Sequence, residues 1–577
     1  MDLQALAFTL CENFVSDQKG HISDDVRNLV LGWIRQRNVA RLCEASDHIP
    51  LAFHTEDLCR FSRQVAAFFK KNPAFSNPDV CQKAAKLSFE RAELLCRLTN
   101  KRLDHYYANQ DRISPEVRRI IDRAQGIIYD TLGDIAEFYD RLPSELRITS
   151  GASATRSRRQ ALPHLKVSKR AIPVTRTAIP YIELANSHYG YGKLSYRETL
   201  CNRVVTVRKN WKTDRTIACE PEGNLAVQLA FDSFVKDKMR RKLHINLSDQ
   251  FRNQQLAKEG SVSGNLATID LSMASDTVSL NAVAWLLPVK WYKLLTDIRC
   301  PYGRGFGQLY KYAKLSSMGN GATFGLESLI FAALSKATGA KVWCAYGDDI
   351  IISSTQAKAL IAALRFLGFR VNTDKSYTEG PFRESCGADW YLGKDVTPFY
   401  LRMTSSVKTE LCHIVNGLAP LVVPGGKLAQ TLKSLISDHK LPFIPWNWSS
   451  ISGVWIDIPT AYSKKLIRNK NGCLEIRAFT SRNRAKIIRD SRTLFLWHLH
   501  ASRRERGGSS VYQRHFLGLY SNTDPDMPPT SSIISSSVPT FSHKFVRKWV
   551  SWQPPAMVTP VHLYWWTDLI FPSDSEE

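Results

Sequence analysis

Asp348 and Asp349 stand side by side in Cys344-Ala-Tyr-Gly-Asp-Asp-Ile-Ile-Ile-Ser353, and a third acid, Asp270, closes the apolar stretch Leu266-Ala-Thr-Ile269. Adjacent anions repel, so pairing them at one point is costly unless a cation shares them. Three carboxylates at strand ends make a hard-oxygen site suited to Mg²⁺, which keeps waters and binds phosphates through its remaining positions. Two such ions about 3.5–4 Å apart can clamp the attacking and leaving oxygens of an in-line phosphoryl displacement. A Gly-Asp-Asp turn alone is ordinary loop chemistry. Its surroundings have to decide.

The elements that must position these acids are readable. Short β-branched runs flank Gly347-Asp348 and predict two strands joined by a tight turn. Before this hairpin, residues 323–338 carry helical periodicity through Leu326, Ile330, Ala333 and Ala337, with Gly339 as a stop. After it, residues 356–367 repeat the pattern up to Gly368, and Phe369-Arg-Val-Asn372 opens a further strand. The order β–α–β–β–α–β predicts an α+β unit, a sheet with helices on one face. In such a sheet the first strand and the hairpin can lie together, which brings Asp270, Asp348 and Asp349 into one cluster.

Two further segments fit the same chemistry. Val207-Arg-Lys-Asn-Trp-Lys-Thr-Asp-Arg215 gathers Arg208, Lys209, Lys212 and Arg215, enough charge to neutralise a triphosphate and a pyrophosphate leaving group. In isolation a solvated basic strand would look the same. Gly319-Asn320-Gly321 leads into the first predicted helix. Its glycines let backbone approach a nucleotide, and Asn320 can bond a sugar hydroxyl, although the tripeptide is also a plain turn.

Composition agrees with a phosphate-rich partner. The 577 residues include 78 Lys and Arg against 53 Asp and Glu, a formal charge of +25, with 44% hydrophobic residues. That is a globular chain of several lobes whose charge favours nucleic acid. No apolar run is long enough to span a bilayer and no leader is evident, so a membrane partner is not expected. The 12 cysteines form no C-x-x-C pair, which argues for reduced thiols and against a zinc site, Cys412-His413 included. Residues 1–145 read as mostly helical, with amphipathic stretches at 88–98 and 115–125. From 146 to 182 acids are absent while Arg147, Arg156, Arg158, Arg159, Lys166, Lys169, Arg170 and Arg176 occur, which predicts an extended basic segment. Further on, residues 482–492 read as a basic helix, and 521–540, rich in Ser, Pro and Thr, as a flexible surface connection.

Taken together, Lys212-Thr-Asp-Arg-Thr-Ile-Ala218, Glu220-Pro-Glu-Gly-Asn224, Asn265-Leu-Ala-Thr-Ile-Asp-Leu-Ser272, Ala274-Ser-Asp276, Ser316-Ser-Met-Gly-Asn-Gly321, Leu326-Glu-Ser-Leu-Ile-Phe-Ala332 and Tyr346-Gly-Asp-Asp-Ile-Ile351 have a recognisable order and wording. With Glu379-Gly-Pro-Phe-Arg-Glu-Ser-Cys-Gly387 and Asp395-Val-Thr-Pro-Phe-Tyr400, they resemble the catalytic subunit of levivirus replicases, the Qβ-like RNA-directed RNA polymerases of single-stranded RNA bacteriophages. The likeness runs from about residue 200 to 402.

The resemblance implies a right-hand polymerase fold. Residues 1–145 would be a helical scaffold and part of the fingers, 146–264 the basic fingers region, 265–402 a palm, and 403–577 the thumb and C-terminal region. It implies Asp270 and Asp348 as principal metal ligands, completed by Asp349, with Mg²⁺ as cofactor and Mn²⁺ able to substitute. Asp276 and Asn320 would read the ribose 2′-OH. Lys375 would sit where such polymerases carry the general acid that protonates pyrophosphate, and the hairpin around residues 391–402 would support the priming strand. The implied partners are template and product RNA, ribonucleoside triphosphates, the host elongation factors Tu and Ts, and a small-subunit ribosomal protein, in the cytoplasm of an infected bacterium.

Other readings make different demands. An RNA-templated DNA polymerase would need bulk against a 2′-OH, yet Asp270 is followed by Leu, Ser, Met, Ala, Ser and Asp, with no aromatic there. A two-metal nuclease has no need of the 207–215 cluster. A basic RNA-packaging protein would leave the three acids unexplained.

Overall fold

The computed structural model describes residues 2–157, 171–189, 193–402, 408–481 and 484–488, except positions 51, 150, 447 and 471, together with 534–538, 545–551 and 560–571. The first 145 residues are helical, as their periodicity predicts. Helix α1 (Leu3–Asp17) starts on Asp2, whose Oδ1 accepts the N–H groups of Gln4 and Ala5. Helix α2 (Glu56–Phe69) starts on Thr55. The two amphipathic stretches lie inside α3 (Pro78–Ala108) and α4 (Pro115–Leu132), each with proline in its first turn, where the missing N–H costs nothing.

The acid-free segment is irregular at its described start, residues 146–149 and 151–157, and turns helical only from Arg176 on. Residues 158–170 lie outside the described residues, but Ile172–Val174 is a strand and Ile179–Tyr189 a helix. Ile182 and Ala185 are buried in the main core, so tertiary packing overrides the local breakers. Strands β1 (Cys201–Arg208) and β2 (Asp214–Cys219) then pair antiparallel and carry the 207–215 cluster at their turn. Helices α5 (Glu222–Lys242) and α6 (Phe251–Ser263) follow.

The sheet that carries the acids comes next. Strand β3 (Leu266–Ile269) is interrupted at Asp270 and resumes as β4 (Leu271–Ser272). Helix α7 (Thr323–Ala337) leads to β5 (Trp343–Tyr346) and β6 (Asp349–Ser353), then α8 (Ala357–Phe366) and β7 (Arg370–Val371). The predicted element order is present. β6 lies between β3 and β5, antiparallel to both, and β7 pairs antiparallel with β4, the continuation of the first strand.

The expectation of helices on one face needs correction. Ile350, Ile352, Ala267 and Ile269 join the main core with α7, while Ile351 and Leu266 pack on Ala257 of α6. Cross-strand partners point to the same face, so this split follows the pleat and leaves the sheet covered on both sides. A fully apolar Ile-Ile-Ile run is what a doubly covered strand requires.

Strands β8 (Phe382–Ser385) and β9 (Ala388–Tyr391) form an antiparallel pair extended by Lys394–Asp395. Beyond them lie α9 (Lys408–Leu418), α10 (Lys427–His439) and, near the C-terminus, α11 (Val561–Ile570). Within the stretch read as a basic helix, Arg484–Ile488 is instead a strand, paired with Ile534–Val538. That partner falls inside the stretch read as a flexible connection; both corrections agree with the β-branched residues present, Ile487 and Ile488 on one strand and Ile534 and Val538 on the other, which favour β pairing over a helix or a loop. The remainder of both stretches lies outside the described residues.

Two large cores result. One joins Leu103 to Ile148 with α5, the sheet, α7 and α8. The other packs α1 and α2 against α9, α10 and Trp566 of α11. Asp17, at the end of α1, accepts the N–H groups of Lys427 and Leu428 at 2.8 Å each and so caps α10. Among the described residues no helix is long and apolar enough to cross a membrane.

Candidate active site

Gly347 and Asp348 form a two-residue turn between Tyr346 and Asp349, which pair across the hairpin. Gly347 has φ +59°, and a Cβ there would stand 2.9 Å from Phe324. Both the hand of the turn and the close approach of α7 therefore require glycine. Its N–H donates to Ser328 Oγ at 3.0 Å, which ties the turn to α7.

The register does the rest. Ile350 pairs with Ile269, so one step further Asp349 comes opposite Asp270, with Asp348 beside them in the turn. Asn372, just after β7, donates from Nδ2 to Asp270 Oδ2 at 2.8 Å, and Ser376 Oγ accepts the Asp270 N–H at 3.0 Å. Asn253 of α6 donates to the Asp349 carbonyl at 3.0 Å.

Burial first, and then Asp348 among its neighbours, push the Asp270 carboxyl up to about 6, against the lowering effect of Lys375 and Asn372. Asp349 is pushed up to about 7 by burial and by repulsion from Asp348. Glu327 of α7, 4% exposed, reaches about 8 through burial and the charges of Asp348 and Asp276. The structure thus brings the three predicted acids into one repelling group and adds a fourth carboxyl beside it.

The donors are all oxygen, and their mutual repulsion is what a divalent cation relieves, so they suit Mg²⁺ or Mn²⁺ chemically. Among the described residues, no three His, Cys, Asp or Glu side chains already surround an ion-sized point. The fit lies in donor chemistry and charge rather than in a preformed cage. None of the twelve cysteines is in a disulfide, and His413 Nδ1 lies 2.8 Å from Ser450 Oγ.

The four basic residues of the 207–215 cluster separate into two pairs. Arg208 Nε lies 3.4 Å from Asp214, and Lys212 forms an ion pair with Glu44. Lys209, although much of its side chain is exposed, is lowered below the usual lysine range. Partial desolvation leads, followed by Arg215 and Lys375, with Asp270 and Asp348 opposing. Lys209, Arg215 and Lys375 therefore share the neighbourhood of the acids. Trp211, at the tip of the turn, donates its N–H to the Lys70 carbonyl at 3.1 Å.

The Gly-Asn-Gly loop rests on the same ribbon. Met318 O accepts the Ala218 N–H at 2.8 Å, and a Cβ on Gly319 would lie 2.4 Å from Ala218 O. Asn320 Oδ1 accepts the Ala322 N–H at 2.9 Å, leaving Nδ2 as its remaining polar group. Asp276 sits by Glu327 and is bonded from behind by the fully buried Lys314 at 2.9 Å.

Several members of this neighbourhood have no motif of their own. Lys70 and Lys71 follow α2, in a region read as scaffold. Lys71 lies 3.5 Å from the centre of the Tyr400 ring and is lowered to about 8 by burial, Arg402 and Lys375. Lys314 carried one visible signal, a lysine inside the apolar step Ala313–Leu315.

The family model described as RNA replicase, beta-chain, matches residues 46–515. The RNA-directed RNA polymerase subunit beta of Enterobacteria phage SP is 36% identical over 401 residues, 67% of this chain and 64% of that protein. That of Escherichia virus Qbeta is 36% identical over 412 residues, 70% and 64% of the two chains. The RNA-directed RNA polymerase beta chain of Escherichia phage MS2 is 37% identical over 324 residues, 53% and 58%. The matches with the SP and Qbeta proteins thus span just under two thirds of those proteins' length. Among solved structures, an RdRp complex aligns with TM-score 0.38 at 11% identity, over 55% of this chain and 33% of that one. The RNA-dependent RNA polymerase of a human picorbirnavirus aligns with TM-score 0.32 at 10% identity, over 59% and 81%. With the family model covering most of its length and the acids gathered as described, the chain belongs to the RNA replicase beta-chain family.

Proposed function

We propose that this chain is an RNA-directed RNA polymerase, copying single-stranded phage RNA by nucleotidyl transfer from ribonucleoside triphosphates with release of pyrophosphate. The observation that carries the reading is the gathering of Asp270, Asp348 and Asp349 in register on neighbouring strands, faced by Lys209 and Lys375. In this reading 146–264 belongs to the fingers, 265–402 is the palm of a right hand, and 403–577 contains the thumb.

Asp270 and Asp348, completed by Asp349, would hold two Mg²⁺ ions, which when bound supply charge neutralisation for in-line phosphoryl transfer. Lys209 and Arg215 orient the triphosphate, and Lys375 is placed to hand a proton to the departing pyrophosphate. Arg208 and Lys212 already have acidic partners and shape the ribbon. Asp276 and Asn320 receive the ribose. The relatives are named as subunits or chains of a polymerase, which supports work in a complex. Elongation factors Tu and Ts and a small-subunit ribosomal protein are the proposed host partners, in the bacterial cytoplasm.

The test is incorporation of labelled ribonucleotides on an RNA template with Mg²⁺ and host factors, wild type against Asp348→Asn. Synthesis by the wild type alone, with RNA binding intact in both, supports the reading. Equal synthesis by both removes Asp348 from the site. RNA binding without synthesis by either favours a packaging role.

A further inference from the structure

Asp276 is held from behind by a buried charge. Lys314 Nζ lies 2.9 Å from Asp276 Oδ1 and 3.3 Å from Glu93 Oε1, with Lys314 and Glu93 only 1% and 2% exposed and Asp276 18%. The ammonium also lies 4.2 Å from the centre of the Phe89 ring. Glu93 and Phe89 both belong to α3, and Glu93 Oε2 accepts the Ala313 N–H at 2.9 Å. The same helix bonds the Asp276 main chain, since Cys96 Sγ lies 3.5 Å from its carbonyl oxygen.

Burying a lysine is costly unless carboxylates pair with it. Here two carboxylates face one ammonium, which leaves one net negative charge in the group. Asp276 is its most exposed member and has one oxygen, Oδ2, beyond the Lys314 bond. An ionised carboxylate accepts and cannot donate, so the arrangement presents a fixed acceptor to a hydroxyl. The partner carboxyl Glu327, bonded by Ser275 Oγ at 2.9 Å, stands beside it.

We propose that Lys314, backed by Glu93, is a positioning residue that fixes Asp276 as the acceptor for a ribose hydroxyl, so that sugar selection is anchored in helix α3. This rests on the polymerase reading above. A site built to bond a hydroxyl rejects the analogue that lacks it, because its buried polar group is then left unpaired. Loosening Asp276 weakens that rejection without touching the metal-binding acids.

The test compares kcat/KM for one ribonucleotide and its 2′-deoxy counterpart, using the full chain with its host factors. The variants are Lys314→Met, Asp276→Asn and the two combined. Lys314→Met is expected to lower the ribo-to-deoxy ratio by about tenfold or more, the scale of one lost charge-assisted hydrogen bond. Added to Asp276→Asn, it should lower the ratio no further, as for residues acting through one contact. If Lys314→Met fails to fold, Lys314→Met with Glu93→Gln removes one charge of each sign, keeps an acceptor for Ala313, and carries the same expectation. Equal losses on both nucleotides, or additive effects with Asp276→Asn, would overturn the proposal while leaving the polymerase reading intact. Failure of the wild type to incorporate either nucleotide would overturn both.

Discussion

Asn372 is bonded to Asp270 twice: its side chain donates to Oδ2 at 2.8 Å and its main-chain N–H donates to the Asp270 carbonyl at 2.9 Å. The strand after the second helix therefore sets the orientation of the first acid. Asn372→Ala removes the side-chain bond alone. Turnover on an RNA template should fall about tenfold, as expected for one hydrogen bond to a charged group, with RNA affinity retained. An unaltered kcat would show that Asp270 orients itself.

The raised carboxyls make a pH prediction whose sign is unusual for acids. Asp349 titrates near 7 in the fold, above the value it has in an unfolded chain. Below the unfolded value both states are protonated and nothing is lost. As the pH climbs through the unfolded value towards about 7, the folded state holds the extra proton, and stability falls. Without divalent cations, Asp349→Asn should raise the melting temperature at pH 8 and leave it near wild type at pH 4. Equal effects at both pH values would exclude a repelling anionic cluster.

The ion pairs of the basic ribbon divide it into two functional halves. Lys209→Ala and Arg215→Ala should each raise KM for ribonucleotides about tenfold. Arg208→Ala and Lys212→Ala, whose charges face Asp214 and Glu44, should change it less than about threefold. Steady-state kinetics on the four variants would settle the division.

A stability prediction concerns the seam between α2 and β8–β9. Arg63 Nε donates to Asp389 Oδ2 at 2.7 Å, and its guanidinium reaches Glu384 at 3.5 Å. Arg63 is 12% exposed and Asp389 3%. Arg63→Met leaves a buried carboxylate unpaired and should cost about 3–5 kcal/mol. Combining it with Asp389→Leu should recover most of that loss, measured by denaturant unfolding.

What could be read beforehand followed from strong local patterns. The hairpin was visible because a Gly-Asp turn separates two β-branched runs, and α7 and α8 because their apolar periods end at Gly339 and Gly368. Pairing of Asp270 with the hairpin followed from the element order. Cover on both faces was not visible, since α6 meets the sheet through Asn253, Leu256, Ala257 and Gly260, a mixed set that makes no apolar stripe in sequence. Nor did anything local separate Arg208 from Lys209, because Glu44 and Asp214 find their partners only in the folded chain. Lys70, Lys71 and Glu93 carry no local signature, because their roles come from contacts far apart in sequence; Lys314 shows only as a charge between Ala313 and Leu315.

The second core has a consequence for synthesis. Phe14, Phe61 and Phe68 leave the ribosome early, yet they share that core with Leu411, Leu432 and Trp566. Until those distant segments emerge, α1 and α2 are covered only by each other and by N-terminal neighbours such as Val30, Trp33 and Leu42, and Asp17 has no helix to cap. Growing chains thus carry a sticky, half-built lobe through most of translation, vulnerable to association with one another. Chains cut short before Leu411 should accumulate as aggregates rather than as smaller folded pieces.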